Sequence, residues 1–417
     1  MDDIDKKRVN NISKVSNCTG CGLCSFICPT GAIEIIEDEN KNHFFFPQIN
    51  EDKCIDCGLC LKKCPSLMQK DPFDLDRKCY LYQNKDKTKL LRSASGGAFN
   101  TIAEEVLSNG GVVYGAAWDG LSVIHKRVDS LSELPCLNGS KYVQSYISRE
   151  LYNQIKNDIK NNRKILFSGT PCQVAAVSVL FSYFKYDNGF LVEIICHGVP
   201  NQWTFRRAIE LENERIHGNI YCFEFRHKKG FEKNNTAFKY CFSKGDNAYV
   251  VEGTNYYFPY YKAFHTYSIF RDSCYSCNFR SHRYGDLIIG DFWGLSKLNA
   301  KYKSDFDKSV VIPLTKKGEL LCSEFAINTN YSVKNYGKFN EGLLCDSSKE
   351  KGFANFYNEN ASDNDLQYYK SNYYKNPKLN NFKVKIKNAI KCVVNLFLPN
   401  SKKYKYYDYY YRKRRIL

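Results

Sequence analysis

CTGCGLCSFICP, residues 18–29, returns 36 residues later as CIDCGLCLKKCP, residues 54–65. Each stretch reads C-x2-C-x2-C-x3-C-P, and every cysteine of the second has its counterpart in the first. This is an internal repeat, and the chemistry of the thiolate explains its spacing. Gaps of two residues let three sulfurs wrap one side of a compact metal body while backbone N–H groups point at it. Pro29 and Pro65 then turn the chain away. Between the runs, AIEII and HFFFPQIN carry the alternation of short strands and predict a hairpin.

Eight cysteines in this spacing, each quartet closed by proline, are too many and too regular for a zinc site. They resemble two-cluster ferredoxins, in which the fourth cysteine of each run ligates the other cluster. That resemblance assigns Cys18, Cys21, Cys24 and Cys64 to one [4Fe–4S] cluster, and Cys54, Cys57, Cys60 and Cys28 to a second. The expected fold is an α+β ferredoxin-like dicluster domain over residues 10–72. Two neighbouring clusters form a one-electron wire, so the rest of the chain must supply what the wire connects.

After Pro72, strand and helix patterns alternate, predicting a larger α/β domain over 73–350. SASGGAFNTIAEEVLSNGG, residues 93–111, reads as a glycine-rich turn feeding a helix with Ile102, Val106 and Leu107 on one face. Small residues at a helix start allow backbone N–H groups to approach a phosphate, and make an ordinary helix start equally well. VVYGAAWD follows as a strand. NGSKYVQSYI, residues 138–147, sets Lys141 beside Tyr142. In KILFSGTPCQVAA, residues 164–176, a buried strand hands over to a helix at Cys172. FLVEIICHGVP repeats the pattern and ends in Cys196 and His197. Two such βα units suggest a parallel sheet, with both cysteines at the edge where open α/β sheets hold ligands. RDSCYSCNFR adds Cys274 and Cys277, and YGDLIIGDFWG, residues 284–294, follows. Cys172, Cys196, Cys274 and Cys277 make a candidate tetrad. A third cluster, a zinc site, a redox dithiol at Cys274/Cys277 and buried thiols all suit the spacing. The remaining cysteines, at 79, 136, 222, 241, 322, 345 and 392, carry no motif.

Hydrophobic residues make up 43% of the 417 positions, which fits a globular chain. No apolar run is long enough to span a bilayer, and MDDIDKKRVNNISK lacks a secretory apolar core. Both point to the cytoplasm, where 19 cysteines serve metal or redox chemistry rather than disulfides. Of the formal charge of +17, the segment from Lys383 onward contributes +10, with eleven Lys/Arg against Asp408. The charge is therefore a property of the tail, which weakens a nucleic-acid reading of the whole chain. Within that tail, 351–417, Phe382, Ile386, Ala389, Ile390, Val393 and Phe397 fall on one face of an expected amphipathic helix, 382–398. A helix docked on the main domain and an anchor on an anionic inner leaflet both suit this pattern.

SASGG, SKYVQS, LFSGTPCQ, CHGVP, FRHKKGF, SCYSC and GDLIIGDFWG occur here in one order. In that order they resemble the beta subunits of coenzyme F420 hydrogenases and dehydrogenases, over roughly residues 15–320, with the ferredoxin module fused in front. Phe231 stands where that family usually has Trp, and the Tyr-rich tail lies outside its pattern. The resemblance implies FAD, iron–sulfur clusters and electron exchange with a hydride carrier such as reduced coenzyme F420 or NAD(P)H. A hydride brings two electrons and a cluster takes one, and a flavin converts between them. On this reading the larger domain is a flavin-binding domain and Cys172 belongs to a third cluster. Ser95, Gly96 and Gly97 would lie beside the FAD pyrophosphate, and Gly169, Thr170 and Gln173 beside its ring. Lys141, Tyr142 and His197 become the catalytic candidates.

Three classes of function compete. The first is a flavin and iron–sulfur oxidoreductase that couples a hydride carrier or organic substrate to ferredoxin or another redox protein, including an accessory oxidoreductase of surface-polysaccharide synthesis. The second is an electron-transfer subunit whose substrate site lies on a partner. The third, a redox-sensing nucleic-acid-binding protein, is the least favoured.

Overall fold

Ile33–Asp38 (β1) and Phe44–Ile49 (β2) pair antiparallel, Ile33 opposite Ile49 and Asp38 opposite Phe44. This is the hairpin expected between the two cysteine runs. In the computed structural model, described over residues 11–68, 70–228, 237–254, 258–302 and 307–344, it carries the two runs at its ends. Each run turns through a left-handed glycine, Gly22 or Gly58, into a helix of about one turn, Leu23–Ile27 or Leu59–Lys62.

The larger domain contains Lys78–Tyr82 (β3), Val112–Asp119 (β4), Ser122–Val128 (β5), Ile165–Gly169 (β6) and Gly189–Ile194 (β7). A separate antiparallel sheet follows, made of Asn219–Phe225 (β8), Ala237–Lys244 (β9) and Asn247–Thr254 (β10). Leu287–Asp291 (β11), Ser309–Pro313 (β12) and Ile327–Ser332 (β13) then complete the main sheet, whose order is β13-β3-β12-β11-β7-β6-β4-β5.

The expected parallel sheet is the centre of this one. β4, β6, β7 and β11 run parallel, and antiparallel strands flank them on both edges. The reason is local on one side, where Gly120 and Leu121 alone join β4 to β5 in a tight hairpin. The sheet is therefore mixed, within a larger α/β domain joined to a ferredoxin-like 4Fe–4S domain.

Side chains of the central strands alternate between two cores, as the pleat requires. Val113 and Ala117 of β4, Leu166 of β6 and Val192 of β7 pack with Ile102, Val106 and Leu107 of the helix Ala98–Ser108. Val112 and Tyr114, Ile165 and Phe167, and Leu191 face the other side. There they meet Leu151, Tyr152 and Ile155 of the helix Arg149–Lys160 and Val174, Val177 and Leu180 of the helix Pro171–Phe184. Leu23 of the first cysteine run is buried in this second core, with Phe26 and Met68 packed against it. At about 1.5–3 kcal/mol for each fully buried large apolar side chain, this contact ties the cysteine module to one face of the sheet.

By contacts, the described chain forms two compact units, residues 11–202 with 270–344, and residues 203–269. The second unit contains β8–β10, where Phe223, Phe225, Phe238, Tyr240 and Phe242 are buried. Among the described residues no helix is long and apolar enough to cross a membrane. The expected helix 382–398 and the tail around it, Phe231 of FRHKKGF, Cys345 and Cys392 lie outside the described residues.

Candidate functional site

The thiols of the repeat sort themselves by electrostatic neighbourhood. Burial pushes Cys24 well up, and the next largest influences on it are Cys21, Cys18 and Cys64, ahead of Cys60. Cys21 is pushed up to about 12 by burial, then by Cys64. The same four cysteines line one cavity, walled by Ile12, Val15, Ile35 and Pro47. Cys60 is raised by burial, and the cysteines that act on it are Cys57 and Cys28. Cys64 thus lies with the first three cysteines of the first run, and Cys28 lies beside Cys60 of the second.

Cys28 is itself surrounded by donors. Burial raises its thiol, but the Thr30 hydroxyl and the N–H groups of Ala32, Thr30 and Gly31 outweigh that, and the net shift is downward. The Ala32 N–H donates to Cys28 Sγ at 3.3 Å. Cys54 Sγ faces Asp56 Oδ1 at 3.8 Å, and Cys57 is exposed.

The second gathering draws on distant parts of the chain. Cys172 opens the helix after β6, and Cys196 follows β7. Cys274 lies on the one-turn helix Asp272–Tyr275, and Cys277 precedes Asn278–Ser281. Burial pushes Cys172 well up, and Cys277, Cys196 and Cys274 raise it further. Cys196 is pushed up to about 11 and Cys274 to about 12, again by burial first. Among the described residues no group of three or more His, Cys, Asp or Glu side chains could hold a single metal ion. A cubane spreads its four thiolates over a larger body than one zinc ion does.

The chemistry of the surroundings fits an anionic cluster. Arg271, Arg280 and Arg283 are all buried, with exposures of 2%, 5% and 5%. Arg280 and Arg283 both lower the Cys196 and Cys277 thiols against the larger effect of burial. Arg283 has a carboxylate partner, Glu193, at 3.1 Å. For Arg271, the groups that oppose its desolvation are Cys18, Cys274, Cys172 and Cys21. Iron-bound thiolates would give this buried cation its counter-charge.

The tetrad lies beside the first cysteine group. Tyr152 is fully buried, its Oη donates to the Cys21 carbonyl at 2.8 Å, and burial and then Cys21, Cys24 and Cys172 raise its phenol. The SKYVQS motif ties the two groups together. The Gln144 N–H donates to the Pro200 carbonyl of CHGVP at 2.8 Å, and Gln144 Nε2 donates to the Thr19 carbonyl of the first run at 3.0 Å.

The residues the resemblance assigned to the flavin make hydrogen bonds within the protein. The Gly96 N–H donates to Ser309 Oγ at 2.9 Å, and Ser95 Oγ donates to the Lys308 carbonyl at 2.9 Å. A Cβ at Gly96 would lie 2.4 Å from the Tyr82 carbonyl oxygen and 2.5 Å from the Ser309 nitrogen. The close backbone approach that this glycine permits is to β3 and β12. Gly97 takes φ +88° at the start of its helix. Gln173 Oε1 accepts from Thr170 N–H at 3.1 Å and Oγ1 at 3.0 Å, while its Nε2 donates to Ser145 O and Oγ, both at 3.0 Å. Thr170 Oγ1 also lies 3.2 Å from Cys172 Sγ. The bonds of Thr170 and Gln173 hold the Cys172 turn.

Lys141 donates to the carbonyls of Leu137 and Asn138 at 3.1 and 2.8 Å, and burial lowers it to about 8. Tyr142 is half-buried. His197 is half-buried, and its carbonyl accepts from Arg280 at 2.7 Å.

His125, on β5, has no motif in the sequence. It is buried, stacks on Phe167 at 5.0 Å, and is lowered to about 4, chiefly by burial. Its Nε2–H donates to the Ser168 carbonyl at 3.1 Å, so its Nδ1 accepts from Ser145 Oγ at 2.8 Å. A Cβ at Gly169 would lie 3.2 Å from His125 Nε2. Arg271 and Tyr152 were equally silent in the sequence, since neither stands in a repeated spacing.

Among known proteins, residues 17–68 match the 4Fe-4S dicluster domain family. Residues 162–338 match the family described as the C terminus of the coenzyme F420 hydrogenase/dehydrogenase beta subunit. The chain is 37% identical over 78 residues to one component of the Na(+)-translocating ferredoxin:NAD(+) oxidoreductase complex of Acetobacterium woodii, covering 18% of this chain and 21% of that protein. It is 35% identical over 54 residues to one component of the NADH-quinone oxidoreductase of Pelobacter propionicus, covering 12% and 29%. The chain therefore spans under a third of the length of these curated relatives. A chain in the xenon-derivatized F420-reducing [NiFe] hydrogenase complex from Methanosarcina barkeri aligns with 62% of this chain and 81% of its own, at 16% identity and a TM-score of 0.40.

Proposed function

From a chain that joins a 4Fe–4S dicluster domain to the C-terminal domain of coenzyme F420 hydrogenase/dehydrogenase beta subunits, we propose an iron–sulfur flavoprotein oxidoreductase that exchanges electrons between a hydride carrier and ferredoxin. Its centres are three [4Fe–4S] clusters, held by Cys18/Cys21/Cys24/Cys64, by Cys54/Cys57/Cys60/Cys28 and by Cys172/Cys196/Cys274/Cys277. Such clusters supply one-electron storage at low potential. The observation that carries the reading is the gathering of Cys172, Cys196, Cys274 and Cys277 beside the Cys18 group, with buried arginines around them.

The residues give the path its order. Cys57 is exposed beside Ile55, which is 65% exposed, so the second ferredoxin group faces outward toward a redox partner. The first group is walled by apolar side chains, and Tyr152 and Arg271 lie between it and the tetrad. FAD is proposed on the resemblance and on the need to split an electron pair. The residues proposed beside it are those of the Ser95–Gly97 turn with Gly169, Thr170 and Gln173, whose mutual and neighbouring hydrogen bonds fix the two turns in place.

The decisive test is anaerobic purification with iron, sulfide and flavin analysis, followed by reduction with NADH, NADPH and reduced coenzyme F420. About twelve irons per chain and one FAD, reduced by one of these donors, are expected. Protein that takes up no flavin when FAD is supplied would refute the flavoprotein reading.

The second reading is an electron-transfer subunit with its substrate site on a partner. It is favoured by the relatives, which are named as subunits of redox complexes. Iron-loaded, flavin-free protein that accepts electrons only from another protein would establish it.

The tail adds a proposed peripheral contact with the inner membrane face, at about 1 kcal/mol for each Lys or Arg near anionic lipid. Vesicles containing anionic lipid should sediment the full chain, in a salt-dependent way, and not a chain ending at Asn380. Equal sedimentation would exclude that role.

A further inference from the structure

Arg271 is among the largest fully buried side chains of the described protein, and its surroundings are unusual for a cation. Its Nε donates to the Cys18 carbonyl at 2.7 Å and one Nη to the Phe45 carbonyl at 2.9 Å. The guanidinium lies over the Phe46 ring, 4.0 Å from its centre. The other Nη is buried with no hydrogen-bond partner. Room for that nitrogen comes from Gly20, inside the first cysteine run, where a Cβ would lie 2.9 Å from it.

The backbone of Arg271 belongs to the other cysteine group. Its N–H donates to the Val199 carbonyl, three residues beyond Cys196, at 3.0 Å, and its carbonyl accepts from the Cys274 N–H at 2.8 Å. One residue is thus anchored on the tetrad by its main chain and on the first ferredoxin group by its side chain.

We propose that Arg271 is the charge shared by the two inner clusters, and that it raises and matches their reduction potentials. The proposal rests on the reading that both cysteine groups hold clusters. Reduction adds negative charge to a cluster, and a fixed cation in a poorly screened interior stabilises that added charge. Arg271 therefore favours the reduced form of either neighbour, which is a higher potential. The group of Cys54, Cys57, Cys60 and Cys28 is absent from the charges that act most on Arg271, and serves as an internal reference.

The test compares wild type, Arg271→Gln, Arg271→Lys and Ser273→Ala, all purified without oxygen. Ser273 Oγ donates to the same Cys18 carbonyl at 3.2 Å and carries no charge. Iron and spin content are measured first, and the potentials then follow from redox titrations monitored by electron paramagnetic resonance. Arg271→Gln should move two potentials to more negative values and leave the third in place. Arg271→Lys should restore most of the shift, and Ser273→Ala should leave all three unmoved. A fully loaded Arg271→Gln with wild-type potentials, or an equal shift in Ser273→Ala, overturns the proposal and leaves the cluster reading intact. Wild type with about eight irons and two signals overturns the cluster reading, and the shared-charge proposal with it. If Arg271→Gln loses its iron, the lysine variant decides. The lysine ammonium keeps the charge on a different reach, so a small lowering of both inner potentials with the outer one in place supports the shared charge, and three unmoved potentials, or an equal shift in all three, overturn it.

Discussion

Cys172 gives the most direct residue-scale test. Removing its sulfur leaves both ferredoxin quartets whole, so Cys172→Ser should lose about four irons and keep about eight. Iron analysis with spin quantification checks this, and an unchanged spectrum would take the third cluster away. Gly96 tests a different idea. Its α-carbon is pressed against Tyr82 and Ser309, so Gly96→Ala should destabilise the fold by roughly 1–3 kcal/mol through overpacking. A denaturant midpoint equal to wild type would contradict this and return the glycine to a ligand-binding role. His125 sets a pH dependence. Burial lowers its folded pKa to about 4, below the unfolded value of about 6.5. The unfolded chain binds this proton first as pH falls, so the contribution of neutral His125 is full above about pH 6.5 and is lost toward pH 4. Stability measured at pH 7.5 and pH 5.5 should fall more in wild type than in His125→Gln, and parallel losses would show that other groups titrate.

At the scale of elements, the site depends on how helices are held to the central strands. Tyr114 Oη on β4 donates to Asp158 Oδ2 at 2.5 Å, and Arg127 on β5 donates to both Asp158 oxygens at 2.8 and 3.2 Å. Asp158 is 2% exposed, so these bonds lock the helix Arg149–Lys160 across two strands. That helix presents Tyr152 to Cys21. Asp158→Ala would leave a buried phenol and a half-exposed guanidinium without their acceptor. A cost of about 3 kcal/mol is expected, at the low end for a broken buried pair because Arg127 reaches solvent. Chemical denaturation checks the value, and a loss below about 0.5 kcal/mol would show that solvent replaces the contact. The elements themselves were largely legible. VVYGAAWD, ILFSG and FLVEI carry strand composition, and the 93–111 stretch carries one apolar helical face. The antiparallel edges were not legible, because alternation along a strand says which side is buried and nothing of its neighbour.

At the scale of the whole molecule, the two N-terminal clusters should titrate near or below about −400 mV, as ferredoxin-type thiolate sites do. A midpoint well above zero, measured on the anaerobic protein, would contradict a wire to ferredoxin. The sequence alone determined the dicluster module, because its ligands are local, and fixed two-residue gaps set sulfur positions through a few backbone bonds. It also determined the strand-to-helix turns that carry Cys172 and Cys196, since composition changes sharply at those turns. Only the tertiary structure decided that these two thiols meet Cys274 and Cys277, that the tetrad adjoins the Cys18 group, and that Arg271 joins both. Those are contacts between residues far apart in the chain. A lone arginine, tyrosine or histidine is defined by what it faces when folded, and no spacing along the chain records that. The Ser95–Gly97 turn shows the converse. Its pattern suits both a phosphate and a neighbouring strand, and the close packing of Tyr82 and Ser309 against Gly96 is visible only in the fold.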